Sequence, residues 1–303
     1  KKEPQLEKKF VADGNYYAAR MIGENVYVLS AYYIEKENPL LPEFMNGDSI
    51  VKVGASEIYY PYVFDSNFMF TSVMAIDLEN MELKGDVFMT GASGVIYVSE
   101  NAIYLTHYKN SYNNNNNWQN IQEEMFKEVV KVFPIIVRAQ IEKVLDSNKE
   151  FYEKQRSMEE IYQNYFNSLD VLKKQELQEK MRKAVEDFYS DWSKKNEKTV
   201  VHKIGIDGLD IDYEGSGEVP GYVLNRFSID EYKGNLRIAT TTGNMGFGFG
   251  GTRGGTLNHL YVLDKDLEII GSVEDLASGE RIYSARFMGD KAYMVTFRQV
   301  DPL

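Results

Sequence analysis

Cysteine is absent from this chain of 303 residues, which excludes disulfides and thiolate metal sites. Histidine and tryptophan are scarce, at three and two copies. A zinc site with its usual three or four protein ligands therefore has little to draw on. No run approaches the ~20 apolar residues that carry a helix across a bilayer. Positive charge is also in deficit: 34 Lys and Arg stand against 46 Asp and Glu, a formal net charge of −12. A nucleic-acid partner needs a basic face to neutralise phosphate, and the composition supplies none. Nothing in the chain calls for a cofactor.

What is plentiful is aromatic and β-branched. Tyrosine (22) and phenylalanine (16) raise the aromatic share to 13%, a composition suited to half-buried pleated surfaces. One phrase occurs four times: Ala19–Leu29 (ARMIGENVYVL), Val95–Leu105 (VIYVSENAIYL), Asn225–Ala239 (NRFSIDEYKGNLRIA) and Ala285–Val295 (ARFMGDKAYMV). Each is an apolar strand, a polar turn and a second β-rich strand. A companion phrase recurs as Ser72–Leu83, His202–Ile211 and His259–Ile269, with Asp77, Asp207 and Asp264 where a tight turn is due. A short carboxylate there can bond the turn's own backbone. Two hairpins per unit make four antiparallel strands, the make-up of a propeller blade.

The second strands start near Val26, Ala102, Leu236 and Ala292. Excising 118–198 brings the last two intervals slightly above the roughly 40–50 residues usual for a blade. The first interval is padded by a Tyr/Pro-rich stretch between Tyr33 and Phe70. The sequence thus predicts a mainly β fold: a partial β-propeller of four-stranded antiparallel blades, about three full and part of a fourth. Residues 1–117 and 199–303 form the blades, and 118–198 an α-helical insertion. The chain starts at Lys1 without an initiator Met or signal peptide. Lys1–Phe10 reads as the tail of an earlier blade and Val300–Leu303 as a break within a fourth. The expectation is a fragment of a longer propeller.

From Trp118 to Lys198 the apolar period changes from 2 to 3.6. Ile121, Met125, Val129 and Phe133 share one helix side, Pro134 interrupts by removing a donor, and Ile135–Leu145 resumes the stripe. Ser157-Met158-Glu159-Glu160 has the spacing of a capping box, which predicts a helix start at Ser157. Asp170 is placed to cap a last helix carrying Leu172, Leu177, Met181, Val185, Phe188 and Trp192. The insertion reads first as a helical cap and second as a partner-binding arm.

Candidate chemistry is thin. His202 and His259 each stand five residues before a repeat Asp, with Ser72 in that place in the first unit, which points to packing. His107 and His202 form a conceivable metal pair without a third ligand. Asp207, Asp210 and Asp212 lack the order and distal Glu of a calcium loop. Gly243–Gly255 (GNMGFGFGGTRGG) lacks the Gly-Lys-Ser/Thr ending of a phosphate loop and reads as a surface loop offering Met245, Phe247 and Phe249. No nucleophile–His–Asp arrangement or catalytic carboxylate pair emerges, so no catalytic or metal residue is assigned. Arg20, Arg226 and Arg286 occupy one repeat position on the first strand of three units, with Ile96 in the second. First strands line a propeller's channel, so these arginines are a candidate row for a small anionic ligand. The competing expectation gives each a structural ion pair with a carboxylate.

Gly217–Gly243 (GEVPGYVLNRFSIDEYKGNLRIATTTG) and Glu280–Leu303 (ERIYSARFMGDKAYMVTFRQVDPL) closely resemble archaeal and bacterial secreted proteins with a C-terminal β-propeller domain distantly related to WD40 repeats. Tyr16–Tyr33 and Val73–Gly91 are similar to the same family. The Gly-His and Trp-Asp marks of true WD40 blades are absent. The resemblance implies a propeller that is secreted or displayed at the cell surface, and it supplies no activity. The expected function is a non-catalytic binding or scaffolding module whose partner is an unidentified protein or small anion. The alternative is a secreted hydrolase or metal-dependent enzyme using the channel.

Overall fold

Successive residues along a strand point to opposite faces of a sheet, so alternate residues share one face. In β9 (Ala102–Asn110) both faces are filled: Ile103 and Leu105 join one hydrophobic cluster, Ala102 and Tyr104 another. A strand buried on both sides must lie between two layers, and the computed structural model shows that layering. It describes residues 3–34, 40–60, 68–91, 94–110, 117–243 and 255–298.

The first blade is a meander of β2 (Asn15–Ile22), β3 (Asn25–Tyr33), β6 (Phe68–Asp77) and β7 (Glu82–Gly91), all antiparallel. The second is β8 (Ile96–Val98), β9, β10 (Glu197–Asp207) and β11 (Asp210–Pro220). In the third, β12 (Tyr222–Val223) and β13 (Ile229–Tyr232) share one side of β14 (Asn235–Thr242), followed by β15 (Leu257–Leu263) and β16 (Ile269–Leu276). The hairpin β17 (Arg281–Met288) and β18 (Lys291–Phe297) follows as a separate two-stranded sheet. The described sheets do not close into a ring. Three blades and part of a fourth match the sequence expectation.

Blade faces stack. Leu29 and Val73 of the first blade meet Ile103, Leu105, Ile204 and Ile206 of the second. Tyr104 and Val201 on its opposite face meet Ile238, Tyr261 and Leu263 of the third. The outer face of the first blade is covered by a small sheet of β1 (Phe10–Ala12), β4 (Glu43–Asn46) and β5 (Ser49–Lys52), with Phe44 fully buried at its centre. The padding after Tyr33 thus contains a hairpin. Phe10, expected to close an earlier blade's tail, begins the strand that pairs with that hairpin.

The helices are α1 (Asn117–Val129), α2 (Ile135–Leu145), α3 (Phe151–Ser168) and α4 (Val171–Asn196), inserted between β9 and β10. Pro134 is the N-cap of α2, after a 3-10 turn at Val130–Val132. Asp170 caps α4 by accepting from the Lys173 amide at 2.9 Å. The capping box at Ser157 is not realised. The helix α3 starts a turn and a half earlier, and Ser157 Oγ donates back to the Glu153 carbonyl at 2.9 Å. A mid-helix hydroxyl has that carbonyl within reach, so the Ser157 side chain is satisfied without capping. Leu172 is exposed, whereas Leu177, Val185, Tyr189 and Trp192 are buried. Among the described residues, the apolar core of the insertion is built from residues 121–192 alone. No helix among the described residues is long and apolar enough to cross a membrane.

Candidate functional site

The turn carboxylates behave as the repeat requires. Asn80 Nδ2 donates to Asp77 Oδ2 at 2.8 Å, and Asp77 Oδ1 accepts from the amides of Asn80 and Glu79 at 3.2 and 2.8 Å. The Asn80 side chain first, and these amides after it, hold the Asp77 pKa below the ordinary value. Asp264 Oδ1 accepts from Asp266 and Glu268, both at 3.0 Å. Asp207 and Asp210 are register partners flanking a two-residue turn, where Gly208 takes a positive φ of 59°. This is hairpin geometry.

Ser72, His202 and His259 all lie on third strands, on β6, β10 and β15. Both histidines are fully buried. His259 Nδ1 accepts the Asp275 amide at 3.3 Å, so its proton sits on Nε2, 2.9 Å from Thr242 Oγ1. Burial lowers its pKa to about 4, against the raising effect of Asp275. His202 Nδ1 is 2.9 Å from the Tyr213 hydroxyl, and its ring stacks on His107 with centroids 5.3 Å apart. Burial first and His107 second bring His202 to about 4. Tyr59 stacks on Tyr213 at 3.5 Å, extending the aromatic run across the junction of the first two blades. Among the described residues no group of three or more His, Asp or Glu is arranged to hold a metal.

The arginine row divides. Arg20 on β2 and Arg286 on β17 are equivalent: each Nη1 donates to the preceding alanine carbonyl, at 2.8 and 2.7 Å, and each faces a tyrosine, Tyr27 or Tyr293, in register. Arg226 is not on a strand. Asn225 accepts from the Phe227 amide and turns the chain into the 3-10 turn Arg226–Ser228, which separates β12 from β13. Arg226 and Arg286 nevertheless converge on one ring, their guanidinium carbons 5.0 and 4.3 Å from the Phe227 centroid. Among the described residues neither these two nor Arg20 has a carboxylate within ion-pair distance.

The buried paired arginine is Arg237 on β14, which the repeat comparison overlooked because it has no counterpart in the other units. Its Nε donates to Asp230 Oδ2 at 3.0 Å and its Nη1 to the Gly289 carbonyl at 2.7 Å. It also lies over Tyr232 and Phe287, so it ties the third blade to the β17–β18 turn.

Two hollows remain. One of about 510 Å³ lies among the turns β2–β3, β8–β9 and β10–β11 and collects Glu100, Asp207, Asp210, Asp212 and Glu214. Lys84 pairs with Asp210 at 3.3 Å and Lys203 with Glu214 at 2.7 Å. The other, of about 720 Å³, lies within the helical insertion. The glycine-rich stretch with Met245, Phe247 and Phe249 lies outside the described residues, as do residues 111–116 ahead of the insertion.

Stacked four-stranded meanders with buried interfaces define a β-propeller. The chain belongs to the beta propeller domain family, whose family model matches residues 1–303. It is 32% identical over 294 residues to an uncharacterised protein of Archaeoglobus fulgidus, covering 96% of this chain and 44% of that protein. It is 30% identical over 308 residues to an uncharacterised protein of Methanocaldococcus jannaschii, covering 99% of this chain and 46% of that protein. The chain thus spans less than half the length of these curated relatives.

Proposed function

We propose that this chain is part of a non-catalytic binding or scaffolding propeller acting outside the cell, with the helical insertion as its presenting arm. The observation that carries the reading is the insertion's own apolar core: among the described residues its buried hydrophobic cluster includes no blade residue, and α4 is the helix that reaches β10, β11 and β14. A lid sealing a catalytic channel would bury its apolar face against the propeller. The facing surfaces of the first three blades are occupied by stacking. Although the β17–β18 hairpin leaves Tyr283, Tyr293, Val295 and Phe297 exposed, the arm is the element that projects an independent core. The exterior location is supported by the resemblance to secreted propeller proteins.

The test compares the intact protein with a version lacking 117–196, using cross-linking on whole cells that produce it. The reading expects accessibility to an impermeant cross-linker and a cross-linked species that disappears with the arm. Labelling only after lysis would overturn the location. Metal analysis and a screen against esters, glycosides and peptides address the enzymatic alternative. Turnover lost on substituting a blade-interior residue would overturn the non-catalytic reading.

A further inference from the structure

In the insertion, α1 packs on α4 and α2 on α3, and the cleft of about 720 Å³ is lined from all four helices. Its walls are apolar: Met125 and Val129 of α1, Ile141 of α2, Met158 of α3, Met181 and Val185 of α4. Five of these six are buried, and Met181 is half-buried. Protein interiors contain few voids larger than a water molecule. Small-molecule sites occupy roughly 300–1,000 Å³ with mostly apolar walls. Three methionines give the walls an adaptable, polarizable surface that accepts varied apolar shapes.

The charges at the mouth select the ligand. Arg182 is held by Glu179 and Glu186, Arg156 by Glu160 at 3.4 Å, and Glu159 accepts from Gln163 at 2.6 Å. Inside, Gln155 reaches Gln122 at 3.5 Å. Each of these ionised groups at the rim already has a partner. A carboxylate head entering here would compete with Glu160, Glu179 and Glu186 for the arginines, and an ammonium head would have to share a carboxylate with its present donor. We infer that the cleft of the helical insertion binds an uncharged, hydrocarbon-rich small molecule. This stands apart from the role of the propeller, since a scaffold without a protein partner could still carry such a ligand.

The experiment titrates the full chain with the neutral fluorophore N-phenyl-1-naphthylamine and competes it with 1-dodecanol, dodecanoate and dodecylammonium. Saturable one-site binding is expected, with dodecanol competing at least about tenfold better than either charged analogue, equivalent to ~1.4 kcal/mol. Met181→Trp, which fills the cleft, should weaken the probe by about tenfold or more while the helical circular dichroism persists. Gln178→Trp, at an exposed position of the mouth, should do the same and serves if Met181→Trp perturbs the helices. Absence of saturable binding, equal competition by dodecanoate, or unchanged affinity in a folded variant would each overturn the inference.

Discussion

Asn110 and Glu197 face one another as the last register pair of β9 and β10, although the whole helical insertion separates them in sequence. The insertion therefore leaves and rejoins the sheet at the two ends of an ordinary hairpin.

Replacing 111–196 with a short Gly/Ser turn should accordingly leave the propeller folded. The loss should be limited to contacts such as Lys194 with Asp275 at 2.5 Å, an exposed pair worth about 0–1 kcal/mol. Circular dichroism should show the helical signal gone and the β signal kept, with a thermal midpoint lower by a few degrees. Collapse of the β signal would place the insertion in the propeller core.

Arg237 is expected to be the most sensitive polar position. It is 8% exposed, and Arg237→Met would strand Asp230 and the Gly289 carbonyl. The expected cost is about 3 kcal/mol, the lower range for breaking a buried pair. Arg237→Lys should recover less than half of that, because an ammonium cannot reproduce the forked, ring-stacked arrangement. Denaturant unfolding checks both; a Met variant within 1 kcal/mol of the parent, roughly surface-pair magnitude, would refute the claim.

Gly85 on β7 lies against Phe44, and a Cβ there would fall 2.4 Å from ring atoms of that buried side chain. Gly85→Ala should cost about 1–3 kcal/mol through overpacking. At Gly271 the nearest atom to an added Cβ is 4.0 Å away, so Gly271→Ala should be near neutral. Equal effects at the two sites would mean that Phe44 yields freely.

The buried histidines set an acid limit. Both have folded pKa values of about 4, below the ordinary 6.5, so the unfolded chain protonates first as pH falls. Their contribution is complete above about 6.5 and is lost progressively toward 4, at about 2 kcal/mol each by pH 5. Around His259 stand Asp275, Glu274 and Lys194. Unfolding measured at pH 7 and pH 5 should show a smaller difference for His259→Gln than for the parent. An identical pH dependence would show that His259 does not titrate in this range.

Arg226 and Arg286 share Phe227 and lack a described carboxylate partner. If they hold an anion, Arg226→Met and Arg286→Met should each abolish citrate or phosphate binding by calorimetry while stability changes by less than ~0.5 kcal/mol, as for ordinary surface positions. Equivalent anion affinity in both variants would remove them from any site. Arg20 tests the row as a whole: Arg20→Met should match the other two only if the first-strand position, and not Phe227, creates the binding.

Much of the fold was legible because blades repeat. The Asp77, Asp207 and Asp264 turns and the third-strand positions of Ser72, His202 and His259 recur with the units, and repetition exposes period-2 burial directly. Asn225 broke the repeat reading at Arg226, since a local Asx turn converts a strand start into a 3-10 turn without changing the surrounding pattern. Ser157 misled because the same hydroxyl serves two geometries: it can cap a helix start, or, as here, donate to the Glu153 carbonyl from within a helix that began at Phe151. The cleft was invisible for a related reason: its walls come from four helices, and an apolar stripe looks the same whether it meets a neighbour or a void. Arg237 has no repeat partner, so comparison among units could not single it out.

The final helix of the insertion has mechanical consequences. At 26 residues, α4 is about 39 Å long at 1.5 Å per residue, and its C-terminal end runs straight into β10. Lys194, close to that end, is clamped to Glu274 and Asp275 of the neighbouring blade. The helix is thus a lever with its fulcrum between two blades. A relative rotation of about 10° there would sweep its far end through roughly 7 Å of arc for a rigid rod of this length.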